Sequence, residues 1–415
     1  MGNLKITGVR AITCAPDGSN LIIVRIDTNQ PGLYGLGCAT FTQRWKTVVN
    51  AIEEYMAPLL IGRDPTRIED AWQAAMGSSY WRNGPCLNNA ISGCDMALWD
   101  ILGKEAGLPV YRLLGGKCRE GAAVYRHADG RDPVEVEDNV RRYMEKGYQY
   151  IRCQMGGYGG QMRYLNSPEG PSAFDMRYIN SPGGQNDAAF DAIAYARSVP
   201  RMFEHLRSKL GFEVELCHDV HERLVPIEAV RLAKAVEPYR LFFLEDALPP
   251  EQVDWFRQIR AQAAVPLAMG ELFNNPMEWM SLVSERLIDF MRVHISQIGG
   301  LTPARKLAIL CEAYGIRTAW HGPGDVSPVG HACNVHLDLA SANFGIQEWG
   351  GYDESPTLNE VFSGIPKVKN GFAYVEDKPG FGVDIDEEAA RRYPCFHDLP
   401  QWTLTRLPDG TAVRP

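Results

Sequence analysis

Three acidic residues, Asp219, Glu245 and Glu271, each close a short apolar run. The runs are Val214-Glu215-Leu216-Cys217-His218, Leu241-Phe242-Phe243-Leu244 and Val265-Pro266-Leu267-Ala268-Met269-Gly270. Each has strand length, and helix-like segments at Ile227–Ala235 and Gln252–Ala261 lie between them. Asp219 to Glu245 and Glu245 to Glu271 are both steps of 26 residues, close to one βα unit. The pattern predicts three acids at the same end of three successive parallel strands, and in a closed β/α barrel such ends face one pocket. Carboxylates gathered without counter-charge repel one another and hold a proton near neutrality. A divalent cation removes that conflict, and an all-oxygen donor set with open octahedral positions suits Mg²⁺ better than Zn²⁺.

Groups able to move protons stand close by. His221 follows Asp219 by two residues, so both side chains share a face if the strand stays extended. Arg152 and Gln154 end an earlier strand, where a guanidinium could anchor an anion or favour a phenolate. Tyr164 is the nearest phenol on the loop that follows, with Tyr158 and Tyr178 as competitors. Further along, His321 opens HGPGDVSPVGH, a Gly/Pro-rich loop that contains Asp325. Glu348 closes another strand, and Arg292 and His294 share one strand face. Polar residues at barrel strand ends are candidate substrate contacts.

These residues need a scaffold. Lys5–Ile12, Leu21–Asp27 and Leu33–Leu36 are strand-like, and a helical region runs from Trp45 to Leu113. Within it, Ile91, Cys94, Ala97, Leu98 and Ile101 form one helix face, closed by Gly107 and Pro109. From Ala122 onward strands and helices alternate. The expected strands are Ala122–His127, Tyr150–Gln154, Glu213–Asp219, Leu241–Glu245, Pro266–Gly270, Asp289–Ile295, Ile316–His321 and Phe344–Glu348. The long stretch between the second and third carries a near-repeat, MRYLNSP at 162–168 and MRYINSP at 176–182, and reads as a loop able to act as a lid. The expected architecture is α/β: a TIM-type barrel over 121–395, an α+β capping domain over 1–120, and a segment 396–415 packing back near the cap.

Composition narrows the function classes. A chain of 415 residues is long enough for a barrel and a smaller partner domain, and a net charge of −9 with no basic block argues against nucleic acid. The opening MGNLKITGVRAI has no apolar run of secretory type, and no membrane span is expected. Ten scattered cysteines without a CxxC pair suit reduced thiols in a cytoplasmic protein.

AISGCDMALWDILGKEAGLPVYRLLGG, CHDVHERLVPIEA, FFLEDALPPE, RVHISQIGGLTPARKLA and HGPGDVSPVGHACNVHLDLA, together with the three spaced acids, resemble the enolase superfamily and, within it, the D-mannonate dehydratase family. The resemblance spans nearly the whole chain. It implies a modified (β/α)₇β barrel under a capping domain, with Mg²⁺ held by Asp219, Glu245 and Glu271. It implies that Tyr164, aided by Arg152, removes the proton beside a sugar-acid carboxylate, and that His221 protonates the departing 3-hydroxyl. His127, Arg292, His321, Asp325, Glu348 and the cap residue Thr42 fall where the family holds its substrate. The implied product is a 2-keto-3-deoxy sugar acid, from D-mannonate or D-gluconate, and the implied assembly is a homo-tetramer or homo-octamer. Thr42 replaces the family's Asn, so low activity on D-mannonate is expected. The Lys pair of the superfamily's racemases is absent from Ile151-Arg152-Cys153-Gln154. Epimerisation at the same site and a regulatory, starvation-sensing relic are the alternatives.

Overall fold

The first three strands, β1 (Ile6–Cys14), β2 (Leu21–Thr28) and β3 (Tyr34–Cys38), pair antiparallel in sequence order. Ile22, Ile23, Val24 and Ile26 of β2 are fully buried. After helix α1 (Ile68–Gly77), the long helix α2 (Pro85–Ala106) covers this sheet. Glycine permits the close approach: a Cβ on Gly37 would stand 1.9 Å from the Gly93 carbonyl oxygen, and one on Gly35 would stand 2.0 Å from that of Ala97. Gly107, in the left-handed region, ends α2 where the sequence places its stop.

The computed structural model describes residues 4–155, 188–189, 192–397, 405–407, 411, 412 and 414. They fall into two compact units. The first holds the described residues of 1–124, 271–278 and 291–397, and the second those of 125–270, 279–290 and 398–415. The near-repeat loop, with Tyr158, Tyr164 and Tyr178, lies outside the described residues.

The second unit contains most of β4 (Ala122–Gly130), then α3 (Pro133–Glu145), β5 (Tyr150–Met155), α4 (Ala192–Leu210), β6 (Glu215–Asp219), α5 (Pro226–Ala235), β7 (Leu244–Glu245), α6 (Phe256–Gln262) and β8 (Leu267–Met269). β4, β5, β6, β7 and β8 are neighbours in that order, and every pairing is parallel. Two of these strands are shorter than their apolar runs, yet alternate backbone bonds prolong the ladder. Phe242 donates to the Leu216 carbonyl at 2.7 Å and Val220 to that of Glu245 at 3.0 Å.

The chain returns to the first unit within β9 (Phe290–Met291) and continues through α7 (Leu301–Ala313), β10 (Arg317–Thr318), α8 (Pro328–Ala340) and β11 (Gln347–Glu348). Ala319 donates to the Met291 carbonyl and His321 to that of Val293, at 2.8 and 3.2 Å. Glu348 donates to the Trp320 carbonyl at 3.4 Å, which keeps these strand ends level. No disulfide joins any of the ten cysteines, all of which are among the described residues, and no helix among those residues is long and apolar enough to cross a membrane.

Candidate active site

In the second unit the parallel register sets Asp219 directly opposite Glu245. In-register residues of parallel strands point to the same face, so the two carboxylates are neighbours by construction. Both are buried, at 1% and 0% exposure. Glu271 does not continue this row: the register partner of Glu245 is Ala268, and Glu271 follows two residues after β8 ends. Equal sequence spacing therefore does not mean equal register, because the connection to β8 is three residues shorter than the acid spacing suggests.

Arg152 sits among these acids. Its guanidinium lies 3.2 Å from Asp219, 3.9 Å from Glu245 and 3.5 Å from Asp129. A buried carboxylate pair needs counter-charge, and Arg152, itself 2% exposed, supplies part of it. The Tyr125 hydroxyl donates to Glu245 Oε2 at 3.1 Å. The strand does not stay extended to His221, for its φ is +55° and that of Glu222 is +62°. The left-handed turn nonetheless brings the imidazole back: His221 Nδ1 lies 3.3 Å from Asp219 Oδ2, while its backbone N–H donates to Asp219 Oδ1 at 2.7 Å. Such backbone at two successive non-glycine residues is sterically unfavourable and is held here by the surrounding bonds.

The strand behind Asp219 is pinned from its other face. His218 Nδ1 is 2.8 Å from the Cys153 carbonyl and Nε2 is 2.8 Å from the Tyr195 hydroxyl. A carbonyl can only accept, so Nδ1 carries the proton and Nε2 accepts from Tyr195. Burial lowers the His218 pKa to about 4, so the ring stays neutral and its role is support.

The first unit carries its own polar cluster. Arg292 bridges Glu271 at 2.5 Å and Glu348 at 2.6 Å. His321 Nε2 lies 3.3 Å from Glu271 and 3.9 Å from Glu348, and the Gly322 N–H donates to Glu348 at 3.0 Å. Asp325 stands 3.8 Å from His294 and 3.9 Å from His321, and ligand atoms of these three residues all lie within 4.8 Å of one another. Those separations exceed a direct hydrogen bond and suit a bridging oxygen. His294 Nδ1 accepts the Ser296 N–H at 3.1 Å, so the proton of this neutral ring is on Nε2, toward Asp325. The Asp325 side chain keeps 31% of its surface open, yet protein packed around the carboxyl, with Glu271 and Glu348 near, pushes its pKa up to about 7.

The structure thus groups Arg152, Asp219, Glu245 and His221 in one unit, and Glu271, Arg292, His321, Asp325 and Glu348 in the other. His127, half-buried, is the register partner of Arg152. Thr42 opens a short 3₁₀ turn, with its hydroxyl on Gln43 and its carbonyl near Asn20. Sequence reasoning missed Tyr125 and Asp129. Both were findable, since Tyr125, His127 and Asp129 alternate along β4 and so share the face of Arg152's neighbours.

Residues 10–115 match the mandelate racemase / muconate lactonizing enzyme N-terminal domain, and residues 135–389 match the enolase C-terminal domain-like family. A D-galactonate dehydratase family member of Musicola paradisiaca is 58% identical over 419 residues, covering 100% of both chains. A crystal structure of an enolase from Pantoea ananatis with bound D-gluconate and Mg is 57% identical, covers 100% of both chains and superposes with a TM-score of 0.93. A putative dehydratase from Salmonella, 24% identical over 95% of this chain with a TM-score of 0.81, shares the fold. The superfamily resemblance stands, while the relatives are named for D-galactonate and not for D-mannonate. With an N-terminal capping domain and a C-terminal (β/α)₇β barrel, the chain belongs to the D-galactonate dehydratase family of the enolase superfamily.

Proposed function

We propose that this protein is a Mg²⁺-dependent acid-sugar dehydratase, a hydro-lyase that removes the proton α to a carboxylate and eliminates the 3-hydroxyl. The observation that carries this reading is the buried, in-register pair Asp219 and Glu245 beside Arg152. Two carboxylates at this depth fit a hard cation, as all-oxygen donors with a shortfall of counter-charge. Asp219, Glu245 and Glu271 would hold Mg²⁺, which when bound stabilises the negative charge that develops on the substrate carboxylate. The D-gluconate and Mg in the Pantoea relative support both the ion and the ligand class.

The residues divide the remaining work. Tyr164 is the base, and Arg152, whose guanidinium lies beside Asp129, Asp219 and Glu245, favours the phenolate. His221, held against Asp219, delivers a proton to the departing hydroxyl. Arg292, His321, Asp325, Glu348, His127 and Thr42 bind the sugar acid. Residues 1–120 act as the cap and 121–395 as the barrel, in a homo-tetramer or homo-octamer.

D-Gluconate and D-mannonate differ only at the carbon that loses its proton, and both yield the same 2-keto-3-deoxy acid. Each must therefore be assayed separately, and the D-gluconate bound by the Pantoea relative supports including it beside D-mannonate. Semicarbazide detection of 2-keto acids across a sugar-acid library with Mg²⁺ tests the proposal. Turnover of at least one aldonic acid is expected. Exchange or epimerisation without 2-keto acid would refute dehydration in favour of the epimerase reading. Silence across the library, with Mg²⁺ still bound, would favour a regulatory relic.

A further inference from the structure

Gln154 ends β5 two residues after Arg152, so the two side chains share a face. It is 0% exposed, yet neither its Oε1 nor its Nε2 has a hydrogen-bond partner among the described residues. A primary amide in that state forgoes two donors and an acceptor, and buried amides are almost always paired. The neighbouring strands show what surrounds it. Gln154 is the register partner of Asp129, and Arg152 is that of Cys217. The paired stretch ends there, but both strands run on, so Gln154 and Asp219 each stand two residues past that pair, and Asp219 is level with Glu245. Continuing the register gives a row of Asp129, Gln154, Asp219 and Glu245. Three members are acids that Arg152 approaches within 3.9 Å, and the fourth is an uncharged amide with its hydrogen-bonding capacity unspent.

We propose that Gln154 is a substrate-contacting, specificity-determining residue, whose Nε2–H groups donate to a carboxylate or hydroxyl oxygen of the sugar acid beside the carbon that is deprotonated. This inference rests on the dehydratase reading above. Chemistry selects the amide at this point in the row. Another carboxylate would repel both its neighbours and the anionic substrate, and a lysine would compete with Arg152 for the same acids. An amide donates to a substrate oxygen without altering the charge balance.

Gln154→Met keeps length and volume while deleting the amide, and Gln154→Glu keeps shape while replacing donors with a negative charge. With a sugar acid that the wild type turns over, Gln154→Met is expected to lower kcat/KM about ten- to a hundredfold, the usual effect of losing a hydrogen bond to a charged group. Gln154→Glu should lower it further. The unfolding midpoint of Gln154→Met should equal or exceed that of the wild type, because removing an unpaired buried amide relieves a desolvation penalty. Calorimetric titration of D-gluconate in the presence of Mg²⁺ gives an independent readout, and affinity should fall in step. A kcat/KM within twofold of wild type overturns the assignment. So does a loss of activity matched by a lower unfolding midpoint, which would mark the amide as structural. The wild type is titrated first: if it binds no sugar acid, the dehydratase reading itself fails, whereas equal binding by wild type and Gln154→Met defeats the Gln154 assignment alone.

Discussion

At the residue scale, the second unit solves a problem of like charges. Asp219 and Glu245 are buried side by side, an arrangement that calls for a cation or a retained proton. Arg152 answers part of the need at 3.2 Å from one acid and 3.9 Å from the other, and Mg²⁺ is proposed to answer the rest. Glu245→Gln keeps the hydrogen bond from Tyr125 but removes one charge. Mg²⁺-dependent turnover should be lost while the circular-dichroism spectrum is retained, and full activity in this variant would reject the metal assignment. Tyr164→Phe should stop α-proton exchange in deuterated solvent, measured by NMR, with a rate loss of at least about 10²-fold. If Tyr178→Phe does so instead, the base is the second tyrosine of the near-repeat.

At the scale of elements, two contacts tie the cap's long helix to its surroundings in the first unit. Against β3, the packing depends on missing side chains, since even one Cβ at Gly37 would meet a backbone oxygen at 1.9 Å. Gly37→Ala should destabilise the protein by roughly 3 kcal/mol or more in urea unfolding, because neither backbone can yield easily. A change below about 1 kcal/mol would mean that the helix shifts freely. At the other contact, Asp95 on α2 accepts from the Thr302 N–H at 2.9 Å and from its hydroxyl at 2.5 Å, binding the first turn of α7. Burial raises the Asp95 pKa to about 7, above its unfolded value near 4. The native state then binds the extra proton between those limits, so Asp95's contribution to stability is full below pH 4 and is lost as pH rises toward 7. Asp95→Asn should remove that slope, and its stability relative to wild type should rise from pH 4 to pH 7 and level off above. Parallel curves for the two proteins would contradict this.

At the scale of the whole molecule, a chain of net charge −9 must attract an anionic ligand through local positive charge. Arg152 and Arg292 are each already engaged with two or more carboxylates, and the divalent ion proposed above would add to the attraction. Mg²⁺ at about 100 times its dissociation constant should stabilise the fold by roughly 2.7 kcal/mol. In a chain of this size that is a rise in Tm of roughly 3 °C, read by differential scanning calorimetry. An equal rise in Glu245→Gln would show the ion acting elsewhere.

The sequence by itself determined the alternation of strand and helix, the stop of the cap helix at Gly107, and the placing of acids at strand ends. All of these follow from periodicity and turn chemistry within short windows of chain. It also carried the superfamily, because long motifs preserve the residues that such a fold positions. Tertiary structure alone decided the rest. Asp219 lies opposite Glu245 while Glu271 lies three residues past the matching position, since register is fixed by backbone pairing and not by counting residues. His221 reaches Asp219 through left-handed backbone that no local propensity favours, and Tyr125 meets Glu245 across 120 residues of chain. The unspent amide of Gln154 is likewise invisible in a sequence, because burial and the absence of a partner among the described residues are properties of the folded neighbourhood and not of the residue.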